Sequence, residues 1–129
     1  MTIIQRMILE REAGRHTIFL EAKSIGKDML VAIYGGDEHH IGGVSIAHET
    51  KSHYRDAETV SVSTLTFPGH KDYVVSSSVA EKICEALGGP VVVTVGIHYD
   101  NATPNDIQEI VQVVRNLTDD LIERQQKAE

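Results

Sequence analysis

Tryptophan is absent from the chain, phenylalanine occurs twice and tyrosine four times, so one copy has few rings on which a flat ligand could stack. The single cysteine, Cys84, cannot pair within the chain, which excludes an internal disulfide and agrees with a reducing compartment. Its neighbours Val79, Ile83 and Leu87 recur at helical spacing, which gives Cys84 a packing role. Only three prolines occur, and no apolar run approaches the ~20 residues that cross a bilayer. Met1 to Leu9 lacks the basic-then-apolar layout of a signal peptide, so a cytoplasmic protein is expected. Twelve Lys and Arg stand against nineteen Asp and Glu, a formal charge of -7, with no basic cluster to grip a phosphate backbone. Nucleic acid and membrane are thereby excluded as expected partners. What is present, 129 residues of which 41% are hydrophobic, suffices for one domain spanning 1–129 with its own core.

The order of elements follows from periodicity. Ile3 to Arg11 and Thr17 to Lys23 alternate loosely around Glu12-Ala13-Gly14-Arg15 and read as a β-hairpin. Met29 to Tyr34 is a compact strand; Val44, Ile46 and His48 then alternate with Ser45 and Ala47, and Glu49 to Ala57 reads as an exposed connection. Val60, Val62 and Thr64 mark a fifth strand. Val75, Val79, Ile83 and Leu87 recur every four residues up to Gly88-Gly89, a helix with a glycine stop. Val91 to Val95 is apolar on both faces, as suits a strand inside a sheet. The last helix opens with Thr103 at its N-cap, Pro104 at its first position and Asp106 in its first turn. Ile107, Ile110, Val111, Val114, Leu117 and Leu121 form its stripe, which should run to about Gln125; Val113 and Ile122 widen it toward a partner subunit. The expected architecture is α+β: a largely antiparallel meander of about six strands, a crossover helix, and a long C-terminal helix packed on the sheet.

In an unbroken meander strands three and five run the same way, and a crossover returns the sixth parallel to the fifth. Their C-terminal ends then share one edge. Three histidine-bearing loops open there: Gly35-Gly36-Asp37-Glu38-His39-His40-Ile41-Gly42, Pro68-Gly69-His70-Lys71-Asp72, and Gly96-Ile97-His98-Tyr99-Asp100-Asn101-Ala102-Thr103. Both helices begin at the same edge with free N–H groups, an anion-binding arrangement that Lys71 reinforces. Asp37, Glu38, Asp72 and Asp100 oppose it, so a bound anion would rely on N–H groups or protonated histidines. The same inventory admits zinc or another divalent metal on His40, His70, His98 and Asp100, with a hydrolase or lyase working through metal-activated water. No HExxH, paired-cysteine, P-loop or GxSxG pattern accompanies these residues. His16, His48 and His53 read as exposed strand or loop positions.

These loops carry a resemblance. Gly-Gly-Asp-Glu-His-His-Ile-Gly-Gly-Val, Pro-Gly-His-Lys-Asp before a helix, and Gly-Ile-His-Tyr-Asp-Asn-Ala-Thr before the last helix resemble the prenylated-flavin chaperone-like family, which includes the small D subunit of gallate decarboxylase. His39 stands where the family motif has proline; His40 stays in register. The resemblance implies a non-catalytic accessory protein that binds, protects or delivers prenylated FMN or FMN for a UbiD-type decarboxylase. It places Gly36, His40, Gly42, Gly69, His70, Lys71, His98, Asp100 and Asn101 at the cofactor pocket. Lys71 and helix N–H groups would hold the phosphate, and imidazoles with the Asp100-Asn101 turn the isoalloxazine edge or ribityl chain. The flavin ring would need Tyr34, Phe67, Tyr73, Tyr99 or a second subunit to stack on, which favours a homodimer. The fold is also similar to that of proteasome assembly chaperones, dimeric and without a catalytic centre, which leaves a ligand-free assembly chaperone as a further alternative.

Overall fold

A computed structural model describes residues 5–51, 58–67 and 73–128, apart from the side chains of Tyr73 and Val74. Eight elements follow one another: β1 (Arg6–Ala13), β2 (His16–Ile25), β3 (Asp28–Gly36), β4 (Glu38–Lys51), β5 (Glu58–Thr66), α1 (Tyr73–Leu87), β6 (Val91–His98) and α2 (Pro104–Ala128). The hairpin is as expected: Ala13 pairs with His16 across the two-residue turn Gly14-Arg15. A glycine leading such a turn supplies the twist that antiparallel strands need.

The meander, however, is broken. The sheet order is β1-β2-β3-β6-β4-β5, so β6 lies between β3 and β4. It pairs parallel to β3 and antiparallel to β4, which makes the sheet mixed rather than largely antiparallel. Val91-Val92-Val93-Thr94-Val95, apolar on both faces, suits this place inside the sheet with a paired strand at each edge. Directions survive this correction. β3, β5 and β6 all run the same way, so their C-terminal ends do share one edge.

The first glycine-rich loop also differs from expectation. Glu38 to Gly42 belong to β4, and only Asp37 separates β3 from β4. The chain wraps the end of β6, so that His98 pairs with Gly36 on one side and Glu38 on the other. Next to this crossing β4 bulges, with His40, Ile41 and Gly42 facing the single residue Gly96. Glycine is required at 96 because a Cβ there would run into the His40 carbonyl and lie 3.0 Å from the Ile41 nitrogen.

Both helices cover one face of the sheet, α1 over β4, β5 and β6 and α2 over β1 and β2. Between them and the sheet lie Ile18, Leu20, Val31, Ile33, Val91, Val93, Val95, Ile83, Val114, Leu117 and Leu121, all at 1% exposure or less. Cys84 is buried there too, and burial raises its thiol pKa, in keeping with a packing role. Val113 and Ile122 are buried within the chain itself, so they do not extend α2 toward a partner. The helix runs to Ala128, past the expected Gln125. Helix α1 ends as expected, with the Gly88 N–H donating to the Cys84 carbonyl at 2.8 Å and Gly88 at φ +84°.

One polar thread crosses the covered face. The Ser45 hydroxyl lies 2.8 Å from that of Ser76 and 2.9 Å from that of Thr64, tying β4 to α1 and β5. The serine run of α1 is therefore partly structural.

Candidate functional site

At the common edge the structure brings the first and third histidine loops together. Gly36, which accepts φ +87°, sits beside His98; a Cβ there would meet the His98 carbonyl group and lie 2.9 Å from the Tyr99 ring. The Asp37 N–H donates to the His98 carbonyl at 2.7 Å, and the Asp100 N–H donates to Asp37 Oδ2 at 2.7 Å. The His98 Nε2 lies 3.1 Å from Asp100 Oδ1, with both side chains open to solvent. Asn101 adopts φ +55° and turns the chain into α2. His40 sits in the β4 bulge above Gly96, and Gly42 accepts the Phe67 N–H at 3.2 Å, which ties the end of β5 to the same edge. Gly69, His70 and Lys71, with Pro68 and Asp72, lie outside the described residues. His53 does as well.

Three side chains at this edge were not singled out by sequence reasoning. Arg15, in the β1–β2 turn, donates to the Asp100 carbonyl at 2.6 Å and reaches Asp37 at 3.4 Å and Asp106 at 3.8 Å. Its guanidinium also lies over the Tyr99 ring, 5.2 Å from the centroid. The His16 Nε2 is 3.1 Å from Asp37 Oδ1 and its ring meets Tyr99 edge-on at 4.8 Å, so His16 is part of this network rather than an exposed strand residue. Glu109 of α2 accepts the Gly14 N–H at 2.9 Å. The parity rule that places the three loops places this turn too, because β1 runs with β3.

The network decides what the carboxylates can do. Asp37 is held below the usual carboxylate range first by the Asp100 N–H, then by His16 and Arg15. Its oxygens are engaged, so it is a brace between three loops. Asp106 is likewise lowered, chiefly by the Thr103 N–H that it accepts at 2.9 Å; Thr103 Oγ1 in turn accepts the Asp106 N–H at 3.1 Å. This reciprocal cap is the expected start of α2, but it fills the helix terminus with a carboxylate. The first turn of α2 is thus occupied by its own carboxylate, with the Arg15 guanidinium 3.8 Å from it, where the sequence led us to expect free N–H groups. The metal alternative gains no support: among the described residues no group of three His, Cys, Asp and Glu side chains is arranged around a cation, His98 is turned toward Asp100, and His70 lies outside those residues.

The ring supply also differs from expectation. Tyr99 is buried at 4% exposure, its hydroxyl donating to the Ala13 carbonyl, so it is no stacking platform. Instead Tyr34 stacks on Phe19 at 5.4 Å and meets the His39 ring at 5.2 Å, on the face of the sheet without helices. Phe67 is exposed beside Gly42.

Comparison with known proteins gives this edge its context. The model of the prenylated flavin chaperone LpdD-like domain matches residues 12–126, and the chain belongs to that family. Protein LpdD of Lactiplantibacillus plantarum (strain ATCC BAA-793 / NCIMB 8826 / WCFS1) is 31% identical over 103 residues, which cover 76% of this chain and 69% of that protein. In three dimensions the chain is similar to a chain from a chaperone complex for yeast 20S proteasome assembly, with a TM-score of 0.50 and 12% identity. That likeness covers 89% of this chain and 99% of the other, and is one of fold. Among the described residues no helix is long and apolar enough to cross a membrane.

Proposed function

We propose that the protein is a cytoplasmic, non-catalytic accessory chaperone that holds prenylated FMN, or FMN, for a UbiD-type decarboxylase. The observation that carries this reading is the match to the prenylated flavin chaperone family over residues 12–126. The crossing of β3 into β4 around the end of β6, which gathers Gly36, His98 and Asp100, supports it. In this reading Gly36, His40, Gly42, Gly69, His70, Lys71, His98, Asp100 and Asn101 border the cofactor. With α2 capped by its own carboxylate, the phosphate falls to Lys71 and the start of α1, where a charge-assisted hydrogen bond contributes roughly 1.5–3 kcal/mol. His98 and the Asp100-Asn101 turn offer hydrogen bonds to the ring edge or ribityl chain, and the Phe19–Tyr34–His39 group offers ring surface. The single domain acts as a homodimer.

Titration with FMN and prenylated FMN, followed by flavin fluorescence and thermal unfolding, tests this. Saturating ligand stabilises the protein by about 2.7 kcal/mol at a hundredfold excess over Kd. His70→Ala and Lys71→Ala should each weaken binding at least tenfold, and unchanged affinity in both removes them from the site. Absence of any flavin binding, together with failure to co-purify with a decarboxylase, overturns the reading.

A further inference from the structure

At the end of the sheet where β3 and β6 begin, away from the histidine loops, lies a cavity of about 390 Å³. Val91 in its wall and His98 at the loop edge are seven residues apart on β6, about 23 Å of extended chain. Met29, Ile83, Leu87 and Val91 make its walls largely apolar. Ile83 and Val91 belong to the buried core, so the packing that holds the helices on the sheet also fixes this floor. One wall residue is out of pattern. Leu117 and Leu121 follow each other by four along the buried stripe of α2, and the next place in that stripe is Gln125. Only 4% of Gln125 is exposed, and its Oε1 is buried with no hydrogen-bond partner among the described residues. An unpaired buried amide costs free energy that a leucine at the same place would not. Rotation about the last side-chain bond exchanges the amide oxygen and nitrogen, and Gln125 lines the cavity, so the edge of the amide meets whatever sits there.

We propose that this cavity is a ligand site separate from the loop edge, taking an uncharged apolar molecule with one hydroxyl, of which phenol is the simplest, with that hydroxyl on Gln125. Three observations set the class. The size is that of a small-molecule pocket, and apolar walls with few polar groups are the usual composition of one. Both helices end on this side, α1 at Leu87 and α2 at Ala128, so their termini turn carbonyl groups toward it rather than N–H groups, which disfavours an anion such as a flavin phosphate. Lys27 and Asp28 at the rim bring one charge of each sign, which selects neither a cation nor an anion. A hydroxyl both donates and accepts, so it satisfies the Gln125 amide whichever end faces it. The inference goes beyond the flavin reading and does not depend on it.

Titration of the ¹⁵N-labelled full chain with phenol and with toluene, which differ by a hydroxyl against a methyl, tests this by amide NMR shifts. Phenol should move the backbone amides of Met29, Gly88 and Val91 and the side-chain amide of Gln125 in a saturable way, and bind about tenfold more tightly than toluene. Gln125→Met keeps the length of the side chain and removes the amide. It should erase the preference for phenol and raise Tm, because the unpaired oxygen is gone. Should its circular dichroism spectrum differ from wild type, Gln125→Leu is read in its place; the wild-type ratio of phenol to toluene affinity depends on neither variant. No saturable shift with phenol, or shifts confined to Gly36 and His98 at the loop edge, overturns the site. Equal affinity for toluene in the wild type, or a variant that keeps the tenfold preference, overturns the role of Gln125 and with it the ligand class.

Discussion

Replacing Gly96 by alanine probes the bulge that carries His40. The added methyl has backbone on both near sides, the His40 carbonyl and the Ile41 nitrogen at 3.0 Å, so no side-chain rotation relieves it. Either β4 slides along β6 or β6 moves out of the layer formed with Val31 and Ile33. Overpacking of this kind costs about 3 kcal/mol. For a chain of this length that lowers Tm by about 10 °C. Gly26→Ala is the matched comparison: it places a Cβ at φ +62° with nothing within 4 Å, so only the left-handed backbone cost of about 1–2 kcal/mol remains. Thermal and urea unfolding of both variants measures the difference. A Gly96→Ala protein no less stable than Gly26→Ala would refute the close approach of the bulge, and with it the position given to His40.

Two further outcomes follow from the network at the loop edge. Tyr99→Phe removes a buried hydroxyl from the Ala13 carbonyl and should cost about 1–2 kcal/mol in urea unfolding; a loss under a few tenths would mean that the bond contributes nothing. Asp37 has a folded-state pKa below its unfolded value, so its contribution is present above the unfolded pKa of ~3.9 and disappears as pH falls through the folded value. Asp37→Asn should therefore be less stable than wild type at pH ~7, with the two urea midpoints converging in the acid range; parallel curves would contradict the brace.

How far these features were legible in the sequence depends on whether they are local. The Thr103-Pro104-Asp106 start of α2 and the Gly88 stop of α1 were plain, because caps depend on a few adjacent residues. The shared edge was also legible, since strand direction depends only on parity and survives the insertion of β6. The insertion itself was not, because which strand pairs with which is settled by contacts between distant segments. Gly42-Gly43 read as a loop for a related reason. Their place in a strand depends on a distant partner, since Gly43 pairs with Val95, 52 residues further on. Arg15 and His16 were missed because a hairpin turn looks complete by itself. Only the folded sheet brings Asp37, Asp100 and Asp106 to that turn.

The position of β6 sets a schedule for the newborn chain. Its slot is bounded by strands that end near residue 51, yet the segment that fills it is synthesised only at 91–98. During translation β3 and β4 must wait with unsatisfied hydrogen-bonding edges, open to adventitious pairing with other extended chains. A ribosome stalled anywhere before Val91 would display two half-sheets that nothing of their own can join.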